Sequence, residues 1–263
     1  MFRIGICVLI SFLISVSVVP LASASDSVES MANLSEEFYT LTKEAKWLEA
    51  RNTLWKLTST FSQHNWEDMN ISVEGIHALS DALIQAKQAL SRAELDPHEV
   101  RMHGIRVRLG VDALQNREQL LWHRYYNVLK EDIAQLKRTV PTGAKVDVQQ
   151  ATDRLYAHYM LIQPALYVAR SPEVVEQVNA LFTYMHNQIH DVTINRQQLQ
   201  DAVGQWEQIL NPLFYGTDNE VLAVAHLPEF PIFLATWLLA VLIGAVLTYV
   251  VWRKAQAEQI IRL

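Results

Sequence analysis

Between Ser25 and Phe230 the apolar positions recur at threes and fours, and no stretch alternates convincingly at period two. The pattern predicts an all-α domain with little or no sheet. The first two helices cover about 35–43 and 47–61, with Phe38 and Leu41 on one apolar face and Ala50, Leu54, Leu57 and Phe61 on the other. A third starts at a Ser72 cap and carries Ile76, Leu79, Leu83, Ala86, Leu90 and Ala93. Asp96-Pro97 supplies a cap and a first-turn proline for a fourth, faced by Val100, Val107, Val111 and Leu114. A fifth runs over about 118–140, buries Trp122, Tyr125, Leu129, Ile133 and Leu136, and stops at Pro141-Thr142-Gly143.

A sixth helix is predicted from an Asp147 cap, with Gln150 three residues on as in a capping box. Its face is Val148, Ala151, Leu155, Tyr159, Ile162 and Leu166, and Pro164 should kink it. Ser171-Pro172 starts a seventh, with Val175, Val178, Phe182, Met185 and Ile189 on one side. An eighth covers about 193–210 and presents Leu199, Val203, Trp206 and Leu210.

The two ends break this amphipathic pattern. Arg3, the apolar run Ile4 to Val19 and the small residues Ala22-Ser23-Ala24 have the order of a secretory signal, read as 1–24 with cleavage after Ala24. Pro231 to Trp252 carries no charge and is long enough to cross the hydrocarbon layer. Arg253 and Lys254 follow it, whereas the approach carries Glu220 and Glu229 and no Lys or Arg after Arg196. The positive flank predicts a cytoplasmic C-terminus. The expected order is therefore signal peptide, extracytoplasmic helical domain at 25–216, linker at 217–230, transmembrane helix at 231–252 and a short basic tail at 253–263. Ala240 and Gly244 form a small-xxx-small pair, the basis for expecting a homodimer through the spanning helix.

Composition then removes several function classes. Taking Arg3, Arg253, Lys254 and Arg262 from 22 basic residues, and Glu258 from 28 acidic ones, leaves segment 25–230 at a net charge of minus nine, which argues against nucleic acid as a partner. Cys7 is the only cysteine and lies in the signal segment. Disulfides, thiolate metal sites and cysteine nucleophiles drop out of the mature protein. Walker loops, dinucleotide glycine motifs and G-x-S-x-G are absent, so no catalytic, cofactor or metal residue is assigned and an enzyme is not expected.

Three weaker constellations each have a plainer reading. His186 and His190, one turn apart and followed by Asp191, have metal-ligand spacing, but nine histidines make one such pair unsurprising. His98, Arg101, His103, Arg106 and Arg108 make the fourth helix basic enough for an anionic wall polymer, although Glu94, Asp96, Glu99 and Asp112 nearby favour a salt-bridged face. Tyr156, Tyr159 and Tyr167 near Pro164 either line a pocket or are core residues with wet hydroxyls.

The segment EAKWLEARNTLWKL resembles the turn and second helix of a tetratricopeptide hairpin, with Ala50 allowing close helix contact; one such unit is too few for a solenoid. Together with ISVEGIHALSDALIQAK, RVRLGVDAL and the order of signal, helical domain and anchor, it resembles the sporulation protein YpjB family. That resemblance implies a sporulation-linked role at a membrane, with no established chemistry to carry over. The expected function is a non-enzymatic envelope scaffold or interaction protein, integral to the membrane and bound to protein partners. The alternative is a ligand-sensing domain signalling through the spanning helix.

Overall fold

In a computed structural model, which describes residues 24–67, 69–115, 120–190 and 195–224 together with Trp237, Ala240, Val241, Ile243, Gly244 and Tyr249, every regular element among the described residues is helical. The order is α1 (Ala24–Lys43), α2 (Trp47–Gln63), α3 (Val73–Ser91), α4 (Pro97–Gln115), a 3-10 turn (Leu121–Tyr125), α5 (Tyr126–Thr139), α6 (Lys145–Ala169), α7 (Pro172–His190), α8 (Arg196–Tyr215) and α9 (Asp218–Val224).

Side-chain caps explain three of the helix starts. Ser72 Oγ accepts from the Gly75 N–H at 3.0 Å, and Asp96 Oδ1 accepts from the His98 N–H at 2.8 Å, so both predicted caps hold. Asn195 caps α8 in the same way, accepting from Gln198 N–H at 3.2 Å. At the end of α1, Lys46 N–H donates to Leu41 O at 3.0 Å and Ala45 N–H to Thr42 O at 3.4 Å, with Ala45 at φ 59°. This is a left-handed helix stop occupied by alanine where glycine is usual.

Several boundaries differ from the sequence reading. α1 begins at Ala24 rather than near residue 35, because Val28 and Met31 pack into the same core as Phe38. α3 ends at Ser91, leaving Ala93 exposed outside it. Of the segment read as one helix at 118–140, the described residues, from Leu120 on, form a 3-10 turn followed by α5; Asp112 on α4 accepts from the Leu121 N–H at 2.8 Å and ties that turn down. Asp147 lies in the first turn of α6 rather than capping it, and its carboxylate accepts from the Ala144 N–H at 3.2 Å. α8 starts at Arg196 and continues through Pro212 to Tyr215, and part of the expected linker folds as α9, with Val221 buried.

Packing divides the apolar interior into two clusters that share α4. Val100, Val107, Val111 and Leu114 join the core of α1–α3, while Leu109 and Ala113 join the core of α5–α9. Close approach of backbones makes this possible. A Cβ added at Gly104 would lie 2.6 Å from Thr42 Oγ1, and one at Gly110 would lie 2.6 Å from Leu79 Cδ2 and 3.2 Å from Pro164 Cβ. α6 runs through buried Pro164 to Ala169, passing against both α3 and α4.

No helix among the described residues is long and apolar enough to cross a membrane. Of the predicted span 231–252, Trp237, Ala240, Val241, Ile243, Gly244 and Tyr249 are helical and exposed; the rest of it, like residues 1–23 of the predicted signal and the tail at 253–263, lies outside the described residues.

Candidate functional site

α6 and α7 lie side by side, and the polar edge of each helix turns toward the other above a floor of aromatic rings. Thr152, Asp153, Tyr156 and Gln163 from α6 face Asn179, Phe182, Thr183 and His186 from α7 across a groove of about 480 Å³. Helical spacing accounts for the set: positions three, four and seven apart share a face. Beneath it Tyr159 is fully buried, its ring 4.8 Å from Phe182, and Phe182 is 4.7 Å from Trp206 of α8. Tyr156 is 46% exposed and meets Phe182 edge to face at 5.1 Å and 74°, so its ring is held upright at the rim.

A chain of hydrogen bonds stiffens this wall. Tyr159 Oη donates to Asn179 Oδ1 at 2.8 Å, and Gln163 Nε2 donates to the same oxygen at 3.1 Å. Asn179 Nδ2 donates to Tyr167 Oη at 3.0 Å, and Tyr167 Oη donates to Glu176 at 2.6 Å. Burial pushes the Tyr159 phenol well above its ordinary value. Burial and the bond to Glu176 raise Tyr167 to about 12. Both tyrosines are therefore neutral donors at physiological pH. Of the three tyrosines singled out in sequence, Tyr156 lines the groove, Tyr159 is core beneath it, and Tyr167 belongs to the bonded chain.

The sequence reading missed Asn179, Gln163 and Glu176. A signal existed: Asn179 interrupts the apolar face formed by Val175, Val178 and Phe182, and a polar residue on a buried stripe needs bonded partners.

The basic helix resolves as a salt-bridged face. Arg108 pairs with Glu36 and lies 4.6 Å over the Tyr39 ring, Arg106 is buried and donates to Gln85, and His103 sits 3.7 Å from Glu99, which also pairs with Arg92. Burial, reinforced by Arg106, pushes the His103 imidazole below its ordinary value. Only His98 and Arg101 of the five stand in solvent, so no continuous cationic patch forms. The side chain of His190 and all of Asp191 lie outside the described residues; among those described, no group of three His, Cys, Asp or Glu is placed to hold a metal.

Arg170 organises the junction after α6. Its guanidinium donates to Leu213 O at 3.0 Å and Gly216 O at 2.8 Å, and lies 3.4 Å from Asp218, whose other oxygen accepts from the Ser171 N–H at 2.8 Å. It thereby joins the end of α6 to the last carbonyls of α8 and to α9.

Comparison with known proteins adds a family. The model of sporulation protein YpjB (SpoYpjB) matches residues 28–262. The uncharacterized protein YpjB of Bacillus subtilis (strain 168) is 23% identical over 263 residues, covering 98% of this chain and 95% of that protein. No solved structure matches the chain.

Proposed function

We propose, from the premise that this chain belongs to the sporulation protein YpjB family, that it is a non-enzymatic interaction protein anchored at the membrane of a sporulating cell. In this reading residues 1–24 direct export, 231–252 span the membrane, the helical domain stands outside and Arg253 and Lys254 remain in the cytoplasm. The uncharged length of 231–252 and the positive residues after it support that placement. Pairing of two anchors through Ala240 and Gly244 belongs to the same proposal.

The observation that carries the interaction role is the outer face of α2. Leu48 and Trp55, two turns apart, are 70% and 72% exposed on the side opposite buried Ala50, Leu54 and Leu57. Tryptophan is among the residue types enriched at the anchors of protein contacts. Its test is crosslinking capture of the tagged full-length protein from sporulating cells beside a Leu48→Ser/Trp55→Ser variant of equal abundance. Partners lost with the variant are expected; an identical set rejects the role of this face.

A second reading is a ligand-sensing domain. It is favoured by the groove between α6 and α7 and by Arg170, which ties the end of α6 to the α8–α9 junction leading to the anchor. In cells carrying Tyr156→Ala, the partners crosslinked to the tail should change. An unchanged set would remove sensing through this groove.

A further inference from the structure

We infer that the α6–α7 groove binds a neutral saccharide, with Tyr156 as the stacking platform; this rests on the second of the two readings above and names its ligand class. Charge sets the first limit. The lining holds no Lys or Arg, Asp153 is its one carboxylate and His186 its one titratable base, so phosphates, nucleotides and carboxylated ligands would meet no permanent cation among the lining residues.

Hydrogen-bonding capacity sets the second. The exposed Thr183 Oγ1 donates to Asn179 O at 3.0 Å, so its hydroxyl has spent its proton and offers lone pairs alone, while Thr152, buried at the groove wall, gives its proton to Val148 O at 2.9 Å. The Asp153 carboxylate accepts, Gln163 gives one amide hydrogen to Asn179 and keeps a second N–H beside its carbonyl oxygen, and the Tyr156 hydroxyl can donate or accept. A wall that sets acceptors beside neutral donors is complemented by a ligand whose hydroxyls both donate and accept. Tyr159 and Tyr167 hold the Asn179 amide in place, so the polar wall is pre-organised before a ligand arrives.

Shape sets the third. The Tyr156 ring, braced edge to face by Phe182, presents a half-exposed flat apolar surface beside these acceptors, matching the alternation of C–H face and hydroxyl rim on a sugar ring. A volume of about 480 Å³ lies within the range of small-molecule sites and suits a short oligosaccharide.

The test is isothermal titration of the purified full-length protein with N-acetylchitotriose and with maltotriose, and separately with spermidine. Saturable binding of at least one saccharide is expected, weakened about tenfold or more by Tyr156→Ala and kept within a few-fold by Tyr156→Phe. Matching circular dichroism melts for both variants keep the comparison free of unfolding. Saccharide binding unaffected by Tyr156→Ala would overturn the site, and spermidine binding without saccharide binding would overturn the ligand class while leaving a sensing groove. Absence of binding by all three probes would overturn the saccharide assignment, while the sensing reading would still stand or fall on the tail-crosslinking experiment.

Discussion

Replacing Arg170 by Met keeps the aliphatic stem and removes the guanidinium that joins α6 to the end of α8. The side chain is 14% exposed, with two carbonyls at 3.0 and 2.8 Å and Asp218 at 3.4 Å. A hydrogen bond to a charged donor contributes about 1.5–3 kcal/mol, and partial access of water reduces each. Loss of the group, with Asp218 left facing the Ser171 N–H alone, should cost about 2–4 kcal/mol in total. For a domain of this size that corresponds to a fall in melting temperature of about 5–15 °C. Arg170→Lys should recover only a fraction, since one ammonium cannot span acceptors that a planar fork reaches together. Thermal melts give the magnitude, and amide hydrogen exchange gives the location: α9 and the last turn of α8 should lose protection first. A Met variant melting within about 2 °C of the parent, or losing protection in α1–α3 instead, would refute the reasoning.

Asn179→Ala leaves the fully buried Tyr159 hydroxyl without its acceptor and should destabilise by about 1–3 kcal/mol, whereas Tyr159→Phe removes the donor itself and should cost less; urea unfolding that ranks them the other way contradicts this. Ala45→Gly relieves a left-handed alanine at the α1 stop and should raise stability by about 0.5–1 kcal/mol, which a lowered urea midpoint would contradict. Burial holds the imidazoles of His64, His103 and His123 below their ordinary value of 6.5, with Arg106 adding to the effect at His103 and Arg170 at His123. Each binds its proton more readily in the unfolded chain, so their contribution is complete above pH 6.5 and is lost as pH falls below it. Urea midpoints should therefore drop on the acid side, with a shallower slope in His103→Gln; an identical slope in that variant would remove His103 as a source.

Much of the fold was legible because a helix writes its buried face into the spacing of its own residues. Leu79, Leu83, Ala86 and Leu90, and likewise Val175, Val178, Phe182, Met185 and Ile189, were read as one face each and are buried as such. Caps at Ser72 and Asp96 were legible for the same local reason. The candidate site was only partly so. Tyr156, Tyr159 and Tyr167 drew notice as a group, but spacing on one helix does not say which tyrosine reaches a neighbour, and Asn179, which bonds to two of them, comes from another helix.

What the sequence determined by itself was therefore local: helix class, the capped starts at Ser72 and Asp96, the inward stripes, the family's segments and two apolar ends. Periodicity and capping act over a few residues, so they survive in a one-dimensional reading. Tertiary structure decided what depends on partners distant in the chain. It extended α1 back to Ala24 by burying Val28 and Met31, kept Leu121–Tyr125 out of the regular helix by bonding Asp112 to the Leu121 N–H, and turned Arg106 and Arg108 of α4 into a buried and a paired group. It also set Arg170 against the end of α8 and opened a polar groove between α6 and α7. Each of these is a contact whose energy is realised only when two helices meet, and no residue spacing along a single helix encodes which face it will meet.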